Sequence, residues 1–230
     1  ERHLVIVCQP WVQDHMELPF VKSFSWVPQR GTRIVVIDKD DLSQRREYEL
    51  PALFFFHLGG AREDASGTIR FDGCFDADPT FAAKGAAGLL KGQFDHAERT
   101  QLKLVTLHPD GRAAIEPTGV SAEFPRSLGR DGQQTIHVGG FSATRPFARS
   151  GNIWDWGKRR GDGFDFGAQQ LVEEFVPVGD YLIGTTLNLA ARASELHIMD
   201  ARRLSDGPVV SWRSDVALPL SFHGNWLAAG

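Results

Sequence analysis

The sequence predicts an all-β protein organised as a β-propeller, and three observations support that prediction. Period-two alternation and runs of β-branched or aromatic residues dominate the chain, interrupted by clusters of Gly, Pro and Asp. A two-part pattern, in which a strand ends near Asp and a polar turn leads to a second strand, recurs four times. Its later copies repeat at the period of a four-stranded propeller blade. We therefore expect about four blades, and strand spacing alone leaves a β-sandwich open.

The four copies of this pattern are RIVVIDKDDLSQRREYEL, LKLVTLHPDGRAAIEP, NIWDWGKRRGDGFDFG and LHIMDARRLSDGPVVSW. In each, an Asp or Asn near the turn can hydrogen-bond its own downstream backbone, and Gly supplies a positive φ in three of the four. Ile37, Leu107, Trp154 and Met199 mark equivalent points, at intervals of 70, 47 and 45 residues. The last two intervals match a blade of about 40–50 residues. Each copy is predicted to be a β-hairpin.

The long first interval contains the one good helix candidate, PTFAAKGAAGLLKGQ, at about 79–93. Asp78 is suited to cap its first turn, Pro79 to the first helical position, and Gly92 lies near its expected end. We predict a short helical insertion here in an otherwise β chain.

Composition places the chain among soluble globular proteins of ordinary character. Its 230 residues are 42% hydrophobic and 23% charged, and the net charge of −4 without a basic stripe argues against nucleic acid as a partner. No apolar run approaches the roughly 18–20 residues of a membrane-spanning helix, although contact with a membrane surface remains open. Cys8 and Cys74 have neither metal-ligand nor disulfide spacing. They are interpreted as buried reduced thiols, which favours a cytoplasmic location.

Two histidines occupy closely parallel settings far apart in the chain. His57 follows phenylalanine in PALFFFHLGG, and His223 follows phenylalanine in LPLSFHGNW, each with glycine within two residues. A strand end that runs into a turn permitted by glycine can direct an imidazole at a shared axis, and neutral imidazole is the commonest metal ligand. Taken singly, each is more simply a core histidine bonded to backbone, so the pair needs support from the rest of the chain.

That support comes from five segments, in order, that resemble the carotenoid cleavage oxygenase family, which includes stilbene-cleaving dioxygenases and a retinoid isomerase. FFFHLGGAREDASGTIRFD resembles the family segment Phe-His-x-x-Asn-Ala-x-Glu, and AEFPR resembles its Glu-Phe-Pro motif. LVEEFVPVGDYLIG resembles its Glu-x-x-Phe-Val-Pro segment, and SELHIMDARRL resembles the strand pair that follows. LPLSFHGNW resembles its terminal Pro-x-Gly-Phe-His-Gly motif. The resemblance is to the C-terminal half of the family and runs along essentially the whole chain.

The resemblance implies a seven-bladed propeller with a non-haem Fe(II) on its axis, held by four histidines. Residues 1–230 would be the C-terminal part of a single propeller domain whose N-terminal blades are absent from this chain. By similarity, His57 would be the third iron ligand and His223 the fourth. Glu123 would be a carboxylate that supports a ligand histidine. A further supporting glutamate would be Glu173 or Glu174, of which Glu174 is preferred.

The implied chemistry suits these residue types. Four neutral imidazoles leave the iron its full positive charge and two open positions, for O2 and a substrate alkene. Carboxylates that accept the other ring N–H fix the tautomer of each imidazole. The family reaction is oxidative cleavage of a conjugated C=C bond by O2, in a carotenoid, apocarotenoid or stilbene, to give two carbonyl products. One branch of the family instead isomerises and hydrolyses a retinyl ester.

The chain also departs from the family pattern. Gly60 stands where the family has Asn, Arg62 where it has an aromatic residue, and Ser221 where it has Gly. No segment resembles the first two histidine motifs of the family. We therefore expect a complementary N-terminal half that carries two further histidine ligands, with a hydrophobic small molecule and O2 as the other partners. The alternative is a truncated, non-enzymatic propeller fragment or scaffold that needs a partner half to bind iron.

Overall fold

The computed structural model describes residues 2–85, 88, 91–93, 100–129, 131–142, 147–221 and 223–227. The chain divides into two compact units, Glu1–Val120 and Ser121–Gly230. Strands dominate both units, and their register pairs are antiparallel. In the part of the chain described, no helix is long and apolar enough to cross a membrane.

The described residues of the first unit contain nine strands in three sheets. A three-stranded sheet has the order β1-β4-β5, a four-stranded sheet has the order β6-β7-β8-β9, and β2 and β3 form a small separate ribbon. Short 3-10 turns lie at Phe20–Ser23 and Pro28–Arg30. The strands are β1 (His3–Cys8), β2 (Trp11–Gln13), β3 (Phe24–Trp26), β4 (Thr32–Asp38), β5 (Arg45–Leu50), β6 (Phe54–Glu63), β7 (Ile69–Asp76), β8 (Gln101–Leu107) and β9 (Ala113–Ser121).

The core of the first unit forms because each strand turns alternate side chains to one face. In β4, Ile34 and Val36 are buried, whereas Arg33, on the opposite face of the strand, is exposed. They pack with Tyr48 of β5 and with apolar residues of β7 and β8 in a single cluster. Cys74 is buried, as expected, but Cys8 is exposed, which corrects the sequence-based interpretation. Cys8 lies on the same face of β1 as the exposed Leu4 and Ile6, opposite the face that carries the partly buried valines.

The predicted insertion contains a helical turn of the π type at Phe81–Gly85. Just before this turn, the carboxylate of Asp78 accepts the backbone N–H of Thr80 at 2.8 Å, as a capping residue does. The carbonyl of Pro79 accepts the N–H of Ala83 at 2.8 Å. Positions 86, 87, 89 and 90 of the insertion lie outside the described residues, so its full extent of about 79–93 stays a prediction.

The second unit contains two four-stranded sheets whose strands follow one another in sequence order, β10-β11-β12-β13 and β14-β15-β16-β17. A 3-10 turn at Leu204–Asp206 precedes the last strand. The strands are β10 (Glu123–Leu128), β11 (Gln134–Gly139), β12 (Ser150–Asp155), β13 (Arg160–Asp165), β14 (Gln170–Val178), β15 (Tyr181–Asn188), β16 (Ala193–Asp200) and β17 (Pro208–Arg213).

The core of the second unit lies between its two sheets. Ile136 and Ile153 of the first sheet pack with Phe175, Leu182 and Met199 of the second, and all are nearly inaccessible to solvent. The ring of Phe175 lies against Gly184 on β15 and against Gly151 on β12 of the other sheet. It is so close to both glycines that there is no room for a side chain at either position. The sheets are therefore packed tightly against each other here.

The four predicted hairpins are confirmed, as β4–β5, β8–β9, β12–β13 and β16–β17. Each hairpin forms the last two strands of its sheet. The three four-stranded sheets and the three-stranded sheet correspond to the expected four blades. Asp near the turn acts as predicted: in β12–β13, for example, Asp155 accepts the backbone N–H of Lys158 at 2.8 Å.

Candidate metal site

Apart from His223, the residues predicted for the site lie at β-bulges in the first strands of the three four-stranded sheets. In β6, His57 lies between Phe55 and Leu58, where three steps along β6 match two along β7. In β10, Glu123 is the first residue of a similar irregularity that ends at Arg126. Each bulge adds one residue to one strand, which redirects side chains locally, and such bulges are over-represented next to active sites.

The bulge in β14 holds both candidate glutamates. Val172 pairs with Thr186 and Phe175 with Gly184, so that one extra residue lies between Val172 and Phe175. Both of these apolar side chains reach the core, although residues three apart in a regular strand face opposite sides. Glu173 and Glu174 occupy the interval, and both are buried. Both carboxylates bind the chain segment that follows β17.

That segment, residues 214–227 with position 222 outside the description, is called the tail below. It has no regular secondary structure and runs across the face of the β14–β17 sheet that lies opposite the core. Leu218 donates its N–H to Oγ of Ser194 at 2.9 Å, and a Cβ placed on Gly224 would lie 3.1 Å from Cγ2 of Val176. Ser194 in β16 and Val176 in β14 share this face, so the tail passes from the edge of the sheet to its first strand.

Glu173 holds the tail just before His223. Its Oε1 accepts the backbone N–H of Ser221 at 2.9 Å, and its Oε2 accepts the Ser221 hydroxyl at 3.0 Å. The hydroxyl of Thr185 on β15 donates to the same oxygen. Ser221 stands where the resembled motif has Gly, which has no hydroxyl to make this contact. Phe222, the next residue of the motif, lies outside the described residues.

Glu174 holds the tail just after His223 and lies beside the imidazole itself. Its Oε2 accepts the backbone N–H of Gly224 at 3.0 Å, and its Oε1 accepts Nε of Arg126 at 2.9 Å. Nδ1 of His223 lies 3.4 Å from the same Oε2. This separation is somewhat longer than a well-formed N–H···O bond of about 2.7–3.2 Å. Of the two adjacent glutamates, Glu174 is thus the one next to the imidazole.

The ring of His223 remains accessible, with 56% of its side chain exposed. The ring of Phe124 meets it edge to face, at a centroid separation of 5.7 Å. Phe124 has a φ of 53°, in the left-handed region that non-glycine residues rarely adopt. Such strain costs about 1–3 kcal/mol and clusters at functional sites. The bulge in β10 therefore directs an aromatic side chain at the predicted ligand.

Glu123, the residue before Phe124, is half-buried at the start of β10. Its Oε2 accepts the backbone N–H of Phe124 at 3.4 Å, so the carboxylate is folded against its own strand. The role predicted for Glu123, support of a ligand histidine, stays a prediction.

His57 belongs to the first unit, where it is half-buried in the bulge of β6. Its ring lies 6.3 Å from that of Phe56, measured between centroids. Three residues further on, Gly60 donates its N–H to Oδ1 of Asp72 at 3.2 Å. Asp72, on β7, is only 4% exposed, and a Cβ on Gly59 would overlap its carboxylate. His57 as an iron ligand stays a prediction.

Sequence reasoning missed Asp72 and Arg126. A signal for Asp72 exists, because it is the single charged residue within the apolar stretch FDGCF of a buried strand. Arg126 is the last residue of the AEFPR motif, and no other feature of the sequence draws attention to it. Its partners lie 48 and 98 residues away along the chain, so the sequence gives no indication of them.

Two other histidines are buried but belong to the core of the second unit. His137 is 2% exposed, with Nδ1 3.4 Å from the carbonyl of Val138, and burial lowers its pKa to about 4. Nδ1 of His197 lies 2.8 Å from the Ser211 hydroxyl and Nε2 lies 3.0 Å from the Thr186 hydroxyl. Burial lowers the pKa of His197 as well. Both rings are held neutral in the core.

The donor set can be tested against a metal ion. Among the residues described, no three or more His, Cys, Asp or Glu side chains are grouped closely enough to hold one. What the second unit does offer is an accessible imidazole backed by a buried carboxylate, which is the arrangement that orients metal-binding histidines in proteins. The described residues are therefore suited to supply single imidazole ligands to a metal site that has further ligands elsewhere.

The chain contains antiparallel four-stranded sheets that follow one another in sequence. This arrangement defines its class, which is that of the β-propeller proteins. Solved structures agree with this assignment. The chain matches cobalt-substituted Synechocystis apocarotenoid oxygenase (ACO) and an ACO/RPE65 chimera, each with a TM-score of 0.80 and 17% identity, over 99% of this chain and 51% of theirs. The chain thus spans about half the length of the solved structures it matches.

The family follows from sequence. The family model described as retinal pigment epithelial membrane protein (RPE65) matches residues 1–228. The chain therefore belongs to this family, the carotenoid cleavage oxygenases. It is also 34% identical to lignostilbene-α,β-dioxygenase isozyme III of Sphingomonas paucimobilis over 85 residues, which are 33% of this chain and 17% of that protein.

Proposed function

We propose that this chain is part of an Fe(II)-dependent dioxygenase that cleaves a conjugated C=C bond with O2 and gives two carbonyl products. The substrate is a hydrophobic stilbene, carotenoid or apocarotenoid. The observation that supports this proposal most strongly is the accessible imidazole of His223 beside the buried carboxylate of Glu174. The names of the similar proteins, a lignostilbene dioxygenase and an apocarotenoid oxygenase, support the substrate class.

In this proposal, His57 and His223 are two of the iron ligands. A complementary part of the complete enzyme carries the two further histidines, since structural and catalytic metal sites generally use three or more protein ligands. The bound iron would supply a redox-active centre with open positions for O2 and the alkene.

The carboxylates act through the imidazoles. When Nδ1–H of His223 donates to Glu174, Nε2 is left as the nitrogen that ligates the metal, and the ring can no longer rotate. The negative charge of Glu174 also makes the imidazole a stronger donor. Glu123 is proposed to support a ligand histidine in the same way. We further propose a cytoplasmic location, because the two cysteines form no disulfide.

The test uses the complete enzyme, loaded anaerobically with Fe(II) and then exposed to air with a panel of stilbenes and apocarotenoids. Mass spectrometry should identify two aldehyde or ketone fragments whose masses account for the substrate plus O2. His57→Ala and His223→Ala should each abolish product formation and stoichiometric iron retention. His108→Ala, in the β8–β9 turn, is the matched control and should preserve both.

Two results would contradict the proposal. Stoichiometric iron and full turnover in the His57→Ala, His223→Ala double variant would show that these residues are not ligands. A complete protein that retains no iron and cleaves no member of the panel would favour the alternative, a non-enzymatic propeller scaffold.

A further inference from the structure

Arg126 connects the first strand of one sheet to the tail that lies on the other. Its Nε donates to Oε1 of Glu174 at 2.9 Å, and its Nη2 donates to the carbonyl of Gly224 at 2.8 Å. Glu174 in turn accepts the N–H of Gly224 at 3.0 Å. The three residues therefore close a ring in which both polar groups of the Gly224 backbone are held.

The tail depends on such contacts because it has no strand or helix of its own. A segment without regular backbone pairing opens easily unless side chains hold it. Glu173 binds Ser221 on one side of His223, and the ring of Arg126, Glu174 and Gly224 binds the other side. His223 is thus fixed from both directions, although its own side chain is more than half exposed.

We propose that Arg126 is a positioning residue that acts through Glu174 and Gly224 to hold His223 where it can bind iron. This inference rests on the proposed function. Arginine suits the task because its planar fork presents donors in fixed directions to two acceptors at once. A lysine ammonium is a single point charge on a flexible stem and would not hold both the carboxylate and the carbonyl in a defined geometry.

The test compares Arg126→Gln and Arg126→Lys with a matched control, Arg213→Gln, in the complete enzyme. Arg213 also donates to a buried carboxylate, with Nε 2.7 Å from Oε1 of Glu195. Glu195 lies on the core side of the sheet, whereas Ser194 faces the tail, and Arg213 precedes the tail and lies eight residues before Ser221. The control therefore removes a comparable ion pair and leaves the tail contacts unchanged.

Three readouts are measured. Hydrogen–deuterium exchange of peptides covering 221–227 should be about tenfold faster or more in Arg126→Gln and unchanged in Arg213→Gln. The affinity for Fe(II), measured by competition with a chelator, should fall by about 10–100-fold, as for loss of other groups that orient metal ligands. The visible absorption of the cobalt(II)-loaded enzyme should change in Arg126→Gln and stay unchanged in Arg213→Gln. Arg126→Lys should behave much like Arg126→Gln in all three measurements.

The outcomes separate this inference from the proposed function. If the wild-type enzyme binds metal and Arg126→Gln binds it equally well with an unchanged cobalt spectrum, Arg126 is not a positioning residue. Faster tail exchange with unchanged metal binding would likewise overturn the inference, because Arg126 would then serve only local stability. A wild-type enzyme that binds no metal would contradict the proposed function itself.

Discussion

The backbone N–H of Gly224 donates to the carboxylate of Glu174 at 3.0 Å, which fixes the peptide directly after His223. The same carboxylate lies 3.4 Å from the imidazole of His223, so a single buried side chain contacts both the predicted ligand and the backbone that carries it. Changes at Glu174 are therefore expected to affect metal binding more than changes at other buried carboxylates.

Glu174→Gln should lower the Fe(II) affinity of the complete enzyme by about 10–100-fold, because the amide keeps the shape but cannot accept with a full negative charge. Competition with a chelator measures the change. Glu195→Gln is the control, since Glu195 is equally buried in the same sheet and pairs with Arg213. An equal loss of affinity in both variants would show that the effect is general destabilisation.

Asp72→Ala should destabilise the protein by about 1–3 kcal/mol, because the half-buried N–H of Gly60 would lose its carboxylate acceptor. Urea unfolding measures the difference. Asp72→Asn, which retains an acceptor oxygen, should cost less. Asp110→Ala, an exposed carboxylate in the turn of the same sheet, should change the unfolding free energy little. An unchanged free energy of unfolding in Asp72→Ala would show that the bulge of β6 does not depend on the hydrogen bond between Gly60 and Asp72.

Stability should fall as the pH is lowered from 7 to 5, because of His137. Burial lowers its folded pKa to about 4, whereas the unfolded ring titrates near 6.5. Between these values the unfolded chain binds a proton that the folded protein does not, so acid favours unfolding, by about 2 kcal/mol at pH 5. Tryptophan fluorescence can report the transition, since Trp156 donates a hydrogen bond to Thr135, two residues before His137.

His137→Leu is the control for this pH dependence. It should reduce the slope of unfolding free energy against pH in this window. A smaller slope of the same sign should remain from His197, whose pKa is also lowered by burial. An unchanged slope in His137→Leu would contradict the assignment.

Gly151→Ala should destabilise the second unit by about 1–3 kcal/mol, through overpacking. A Cβ at this position would lie 2.7 Å from Cε2 of Phe175, which is itself buried. Gly157→Ala, where the nearest atom lies 3.5 Å away, is the matched control and should be tolerated. Adding Phe175→Leu should recover part of the loss in the Gly151→Ala background. Thermal unfolding of the four proteins tests all three expectations.

The hairpins could be predicted because their signals are local. Asp and Gly at a turn act within a few residues, as Asp155 does, and the alternation of the flanking strands is visible in the sequence itself. The family motifs likewise marked the strands that carry His57, Glu123 and Glu174. What the sequence could not supply is how those strands depart from regular pairing.

Glu173 and Glu174 illustrate the limit most clearly. In a regular strand, adjacent side chains face opposite sides, so only one of the pair would be expected to reach any given partner. The bulge removes that restriction, and both bind the tail. Bulges depend on the pairing of two strands, and the path of the tail depends on contacts about 50 residues apart in sequence. Neither has a local signature.

The bulge in β14 also lets this strand supply two tail contacts where a regular strand would supply one. Removing one residue between Val172 and Phe175 would let β14 pair regularly with β15 and would leave both apolar side chains in the core, because residues two apart in a strand share a face. Only one residue would then remain between them, so a single side chain would have to replace the two carboxylates that bind the tail on either side of His223. The extra residue of β14 therefore adds to the anchoring of the tail and not to the packing of the core.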